Sequence, residues 1–116
     1  MTIERHDVGP RMSKCVVHGN TVYLSGQVAN ATAGGSVTDQ TKEILGQIDA
    51  LLAEAGSNKS NILSAGVFIA DIGTFAEMNA VWDGWVSPGN TPCRTTIETK
   101  LAAAKYAIEI SIVAAV

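Results

Sequence analysis

The segment YAIEISIVAAV, residues 106–116, constrains the fold more than any other part of the chain. In it, Ile108, Ile110 and Ile112 alternate with small, polar or charged residues. A period of two places the three isoleucines on one side of an extended strand. That side should pack against other apolar residues, because burial of apolar surface is the main favourable term in folding. We therefore predict a β-strand over residues 106–114, with one face against a hydrophobic core.

Further segments rich in β-branched residues predict the remaining strands of a sheet. They cover residues 5–8, 14–27, 63–70 and 94–98. The pair Gly19-Asn20 divides the second of these into a hairpin, since it tolerates the positive φ of a two-residue turn. The sequence thus supplies six strands in all.

Two segments with apolar residues at helical spacing predict helices over residues 38–55 and 75–86. Thr38 is the predicted N-cap of the first helix. Thr74 and Glu77 have the spacing of a capping box at the start of the second. The resulting order, β-β-β-α-β-α-β-β, predicts an α+β fold in which both helices pack on one face of a sheet.

Length and composition set the scale of the molecule. The chain has 116 residues, enough for one domain over residues 1–116, with 47% hydrophobic and 16% charged residues. A domain of this size leaves much of its surface exposed and gains from oligomerisation. With so few charges available to cover that surface, we expect a buried subunit interface.

Charge and cysteine usage argue against several classes of partner. The net charge is −3 and lysines and arginines do not cluster, so we expect no binding to nucleic acid. There is no apolar run of about 20 residues to span a membrane and no signal-peptide core, so we expect a cytosolic protein without a membrane partner. In that reducing compartment Cys15 and Cys93 should remain free thiols. Cys15 and His18 have C-x-x-H spacing but lack a second ligand pair, so no metal site is predicted.

Arg94 is the first candidate functional residue. The stretch NTPCRTTIE, residues 90–98, begins as a turn and continues as a strand, with Arg94 at its head and Thr96 two residues on, projecting from the same face. Two interpretations remain open at this point. Arg94 is either an exposed arginine at the end of a strand, or a clamp whose guanidinium binds a carboxylate with two hydrogen bonds.

Glu109 and Asn79 are the other polar residues in apolar surroundings. Glu109 lies in the middle of the last strand, where an ionised carboxylate is costly unless it is paired or hydrated. It is either a surface or ion-paired glutamate or a functional carboxylate. If residues 99–105 connect an antiparallel hairpin, Arg94 falls opposite Glu109 and the two share one site. Asn79 lies within the apolar stripe of the second helix, where it either ties down backbone or lines a pocket.

Five segments in order resemble the Rid/YjgF family of reactive-intermediate deaminases, formerly also called the endoribonuclease L-PSP family. The segments are GPRMS, VYLSGQV, FAEMNAVWDGWV, TPCRTTIE and YAIEISIVAAV. The resemblance implies a chorismate-mutase-like α+β fold assembled as a homotrimer, with active sites in clefts between subunits. It also implies hydrolysis of enamines and imines such as 2-aminoacrylate to a 2-keto acid and ammonia, without a cofactor. Such an enzyme is a deaminase of the 2-iminobutanoate/2-iminopropanoate type.

The resemblance also assigns roles to single residues. Arg94 matches the arginine of the family's Pro-x-Arg motif, which implies that it binds the substrate carboxylate. Glu109 matches the glutamate of the last strand, which implies that it positions or activates water together with a backbone carbonyl near Thr96. The residues that match positions bordering the pocket are Ser25, Gly26 and Asn79.

Two positions depart from the family pattern and two other functions remain open. Arg11 stands where many members have a tyrosine, and Thr96 stands where they often have a cysteine. Arg11 is therefore either a second cation in the pocket or an ordinary surface residue. The alternative functions are a trimer that binds small keto or amino acids without turnover and, against the acidic charge balance, a ribonuclease or translation inhibitor.

Overall fold

Strands and helices follow one another in the predicted order in the computed structural model, which describes residues 1–116. The two helices pack on one face of a mixed six-stranded sheet, so the predicted α+β fold is confirmed. Neither helix combines the length and the hydropathy needed to cross a bilayer. The elements are β1 Ile3–Val8, β2 Ser13–His18, β3 Thr21–Gln27, α1 Val37–Glu54, β4 Ile62–Ile69, α2 Phe75–Trp85, β5 Cys93–Glu98 and β6 Ile108–Ala115.

The strand order in the sheet is β1-β2-β3-β6-β4-β5. All neighbouring strands are antiparallel except β4 and β5. These two are parallel because α2 carries the chain back to the end of the sheet at which β4 begins. The hairpin between residues 94–98 and the last strand was therefore a wrong expectation, since β4 lies between β5 and β6. Arg94 is opposite Ala65 on one side of β4, and Glu109 is opposite Phe68 on the other.

The helix starts also differ from the predicted caps. Ser36, not Thr38, caps α1, because the Ser36 hydroxyl accepts a hydrogen bond of 3.1 Å from the Asp39 N–H. The Thr38 hydroxyl instead donates to Glu77 at 2.7 Å and so links α1 to α2. The predicted capping box is absent, since the Thr74 hydroxyl donates to the carbonyl three residues earlier.

The core lies between the helices and one face of the sheet. The three isoleucines of β6 are at most 2% exposed, which confirms the alternation read from the sequence. Apolar side chains of α1 pack over this strand and its neighbours. The fully buried members contributed by α1 are Ile44, Ile48 and Leu52.

Truncation of this core should be costly. We expect Ile48→Ala to lower the free energy of unfolding by about 2–5 kcal/mol, because it removes buried methyl groups and leaves a cavity. Urea unfolding at one fixed protein concentration measures the change. Ile72→Ala is the matched control, since Ile72 is 49% exposed and should lose far less. Equal midpoints for the two variants would contradict this account of the core.

The opposite face of the sheet, here called the open face, carries no helix. Its apolar side chains form two rows in the strand register, one across β2, β3 and β6 and one across β4 and β5. They are half-buried or exposed, with Tyr23 48% and Ile97 45% exposed. Exposed apolar side chains grouped on one face are typical of a protein interface. The residues concerned are Val16, Tyr23, Phe68, Ile97 and Val113.

The connection between β3 and α1 is held by one carboxylate. Glu43 accepts hydrogen bonds from the Ala31 N–H at 3.2 Å, the Thr32 N–H at 2.8 Å and the Thr32 hydroxyl at 2.7 Å. The hydrogen bond from the Thr32 side chain lowers the pKa of Glu43 below its ordinary value, and the backbone donors act in the same direction. The ionised form is thus the form that anchors this connection.

The stabilisation by Glu43 should depend on pH in a defined direction. Because the folded-state pKa lies below its ordinary value of 4.5, the contribution is complete above pH 4.5 and is lost as pH falls through the lowered value. We expect Glu43→Ala to lower the melting temperature at pH 7 and to converge on the wild type in acid. Thermal melts across this range test it, with Asp83→Ala as the control, since Asp83 is exposed on α2. A difference independent of pH would show that ionisation is not involved.

Candidate functional site

The side chain of Arg94 is held against α2. Arg94 lies on the helix-covered face of β5, where its Nη2 donates to Asn79 Oδ1 at 2.7 Å. Its guanidinium carbon lies 5.1 Å from the ring centroid of Trp82 and 5.8 Å from that of Phe75, within cation–π range. Asn79 therefore faces the sheet, as its place in the apolar stripe predicts. Trp82 belongs to the core and also stacks on the cation.

Arg94 has no anionic partner within its own chain. No carboxylate oxygen lies within 4 Å of it, and the one such contact in the protein joins His6 and Glu54 at 3.4 Å. Its Nη1 has only the weak acceptor Met78 Sδ at 3.9 Å. A guanidinium has five N–H donors, so a partly buried Arg94 keeps donors free for an external anion. This placement does not fit an arginine that simply extends into solvent.

Thr96 projects from the same face of β5 as Arg94. Its hydroxyl oxygen is buried and has no hydrogen-bond partner. Buried polar groups are nearly always paired, so an orphan hydroxyl beside an unpaired cation indicates a place where a ligand or water completes the hydrogen bonding. We call Arg94, Asn79, Thr96 and Trp82 the arginine half-site.

Glu109 lies on the open face, against the backbone of Gly26. A Cβ atom on Gly26 would overlap the Glu109 carboxylate, so a larger residue there would force the carboxylate to move. The register of β3 against β6 shifts between Leu24 and Gln27, so Ser25 and Gly26 lie at a bulge, and Gly26 contacts the carboxylate. Glu109 makes no hydrogen bond or ion pair within the chain, so both its oxygens can act on a ligand. We call Glu109, Ser25 and Gly26 the glutamate half-site.

The two half-sites do not meet within one chain. Arg94 is paired in register with Ala65 of β4, which is buried under the helices. Glu109 is paired with Phe68 of β4, whose side chain lies on the open face. The two side chains thus project from opposite faces of the sheet and from strands that are not neighbours. The expectation that one chain brings them into one site was wrong, and its cause is the insertion of β4 between β5 and β6.

A cleft with a volume of about 620 Å³ adjoins the glutamate half-site. It lies between the turn that joins β1 to β2, the end of β3 and α1, and is here called the hairpin cleft. The structure brings Arg11, Ser25 and Gly26 together in its wall, but not Arg94, Asn79 or Thr96. The sequence reasoning missed several polar residues of this wall, namely Asp7, Lys14, Asn30 and Gln47. Gly9-Pro10 could have revealed Lys14, because a turn there brings the residues that flank it onto one surface.

The C-x-x-H pair does not converge on a site. Cys15 is 1% exposed in the core, whereas His18, three residues on in the same strand, is exposed and projects from the other face. Burial raises the pKa of the Cys15 thiol, and the carboxylates of Glu54 and Asp7 raise it further. The neutral thiol is thus the favoured form, and Cys15 acts as a small apolar residue.

Known proteins are similar to this chain in sequence and in fold. A profile of the family Endoribonuclease L-PSP matches residues 3–116. The RutC family protein YoaB of Escherichia coli K12 is 48% identical over 116 residues, which is 100% of both chains. A RutC family protein of Haemophilus influenzae is 46% identical over 114 residues, which is 98% of each chain. The crystal structure of a YjgF family protein from Neisseria meningitidis has a TM-score of 0.95 and 41% identity, and covers 99% of this chain and 95% of its own.

The match runs from the first strand to the last, and it includes the segments that carry both half-sites. The protein therefore belongs to the Endoribonuclease L-PSP family, which is the Rid/YjgF family whose motifs its sequence carries.

Proposed function

We propose that this protein is an enamine/imine deaminase, which hydrolyses reactive intermediates such as 2-aminoacrylate to a 2-keto acid and ammonia. The observation that carries the proposal is the guanidinium of Arg94, which is fixed by Asn79 and two aromatic rings and lacks an anionic partner. Imines derived from amino acids carry a carboxylate next to the reacting carbon. A guanidinium of this kind matches that group in charge and in geometry.

Arg94 serves in this proposal to orient the substrate. The substrate carboxylate accepts hydrogen bonds from two N–H groups of the guanidinium, while Asn79 and the stacked Trp82 hold the arginine in place. The orphan hydroxyl of Thr96 offers a further hydrogen bond beside this clamp. Fixed orientation of the reacting group contributes to catalysis because the entropy of alignment is lost on binding and not in the reaction itself.

The complete pocket requires more than one copy of the chain. Arg94 and Glu109 leave opposite faces of the sheet, so a site that contains both takes Arg94 from one copy and Glu109 from its neighbour. The apolar open face supports such an assembly, because it would otherwise remain in water. We propose the homotrimer typical of this family, with a pocket at each boundary between copies.

The chemistry needs only water and proton transfer. The enamine takes up a proton at its terminal carbon and loses one from nitrogen, which gives the imine. Water then forms a bond to the imine carbon while the C=N electron pair moves to nitrogen, and Glu109 accepts a proton from that water and passes it to nitrogen, which gives the carbinolamine. When the carbinolamine collapses, Glu109 takes the proton of its hydroxyl group and passes it to nitrogen as the C=O bond forms, the C–N bond breaks and ammonia leaves. Substrate and water thus become keto acid and ammonia with no change in oxidation state.

An ammonia-release assay tests the proposal. 2-Aminoacrylate and 2-iminobutanoate are generated in situ, with semicarbazide present to trap the imine that escapes the enzyme. We expect the protein to accelerate release of keto acid and ammonia and to lower the yield of semicarbazone. Release at the rate of buffer for every imine tried, from a protein that is folded and oligomeric, would remove the proposal.

A further inference from the structure

The hairpin cleft holds two cationic side chains that form no ion pair within the chain. Arg11 and Lys14 line it, and neither makes a hydrogen bond or an ion pair through its side chain. The single carboxylate in the wall is Asp7, which is not within 4 Å of either cation. The cleft thus carries two cations against one anion.

The neutral polar groups of the wall are largely committed to one another. The Gln47 amide donates to Gln27 Oε1 and to the Val28 carbonyl, each at 3.2 Å. The Gln27 amide donates to the Ser25 carbonyl at 3.0 Å and to its hydroxyl oxygen at 3.2 Å. The Ser25 hydroxyl proton therefore remains free, as does the amide nitrogen of Asn30, whose oxygen accepts from Tyr106 at 2.7 Å. What the cleft offers a ligand is mostly donors, so the ligand should supply acceptors.

Gly26 connects this cleft to Glu109, the proposed acid–base of the reaction. It lines the cleft, and its Cα lies against the Glu109 carboxylate. A substrate whose reacting carbon lies beside Glu109 has its carboxylate on Arg94 of a neighbouring copy. Since Gly26 borders both Glu109 and the cleft, we place the substituent at the other end of that substrate in the cleft.

We propose that the preferred substrates are imines with a second carboxylate at the end of the side chain, which Arg11 and Lys14 bind. The inference rests on the proposed deaminase function and adds the substrate class. A short apolar side chain would leave both cations without an ion-pair partner, whereas a distal carboxylate pairs with them and accepts hydrogen bonds from Ser25 and Asn30. Imines of acidic amino acids, such as 2-iminoglutarate, have this form.

Paired substrates test the inference. Amino-acid oxidases generate 2-iminoglutarate from glutamate and 2-iminobutanoate from 2-aminobutanoate, so the two substrates differ by the distal carboxylate. We expect kcat/KM to favour 2-iminoglutarate by about 10-fold or more, the size of one charged hydrogen bond. Arg11→Ala should lower this ratio about 10-fold through KM, Lys14→Ala should lower it as well, and added salt should raise KM only for the dianion. Lys42→Ala, which removes an exposed cation on α1 outside the cleft, should leave the ratio unchanged.

The outcomes separate the two proposals. Hydrolysis of both imines with a ratio near one, or with a preference that survives loss of Arg11 and Lys14, overturns the dicarboxylate assignment and leaves the deaminase intact. Hydrolysis of neither imine removes the deaminase proposal, and saturable binding of 2-oxoglutarate but not of 2-oxobutanoate by the same preparation would then still support an anion site in the cleft. Because Arg11 lies on an exposed turn, its variant should fold like the wild type, which circular dichroism verifies.

Discussion

Replacing Arg94 with alanine is expected to lower kcat/KM for imine hydrolysis by about 100- to 1,000-fold, the cost of removing one partner of a desolvated charge pair. The substrate carboxylate would then be left with the Thr96 hydroxyl, without a counter-charge. Arg94→Lys should recover only part of the loss. An ammonium restores charge but cannot form the two-pronged contact or stack on Trp82 in the same way.

A matched arginine separates this effect from a change in net charge. Arg5 is exposed on β1 and lies in neither half-site, so Arg5→Ala should retain wild-type kinetics. Because Arg94 also contacts α2, urea unfolding of each variant is measured alongside activity. Wild-type kcat/KM in a folded Arg94→Ala protein would eliminate Arg94 as the carboxylate clamp.

Glu109→Gln is expected to lower kcat by about 10²- to 10⁴-fold and to change KM little, the range for loss of a general acid–base. Glutamine keeps the shape of the side chain against Gly26 but cannot accept the proton of the attacking water. Binding of a non-reactive 2-keto acid by titration calorimetry should stay close to the wild type. A split in which turnover falls and affinity remains is the signature of a group that acts in the transition state.

Glu4→Gln is the control for this change, since Glu4 is exposed on β1, away from β6. Full turnover in Glu109→Gln would show that another group activates water. A wild-type protein that binds the keto acid and never releases ammonia would instead favour the non-enzymatic ligand-binding trimer.

Much of the fold follows from local patterns in the sequence. The alternation in β6, the Gly19-Asn20 turn and the helical spacing in α1 each reflect physics that acts within a few residues, so all three predictions agree with the structure. The caps were harder to predict. Ser36 and Thr38 are both good cap residues, and the choice between them depends on Glu77, which is distant in sequence and occupies the Thr38 hydroxyl.

The pairing of β5 is the main feature that local reasoning missed. A short connection between residues 98 and 108 suggested a hairpin, yet β4, α2 and β5 form a strand–helix–strand unit, whose strands lie parallel and side by side. With β4 taken as the neighbour of β5, β6 must pair with the free edge of β4. The element order predicts this parallel pairing of β4 and β5, whereas the length of the connection between β5 and β6 does not.

The same pairing determines how much of the site could be predicted. Family motifs identified Arg94, Glu109 and Asn79, and helical periodicity placed Asn79 toward the sheet. Neither source gives the face from which Arg94 projects, because that depends on which strand is its neighbour. The orphan Thr96 hydroxyl and the charges in the hairpin cleft depend on tertiary contacts and so emerge only from the structure.

The placement of Arg94 and Glu109 on opposite faces of the sheet predicts how mixed oligomers should behave. In the proposed pocket, Arg94→Ala and Glu109→Gln each damage a different half, so two variants of low activity should rescue each other when they are unfolded together and reassembled as hybrids. In a random equal mixture, about a quarter of the boundaries would join an intact arginine to an intact glutamate, and activity should recover to about that fraction of the wild type. Reassembly of either variant alone should recover no more than its own low residual activity. A pair of defects confined to one polypeptide would show no such rescue, so the mixture reports directly on how the pocket is divided between chains.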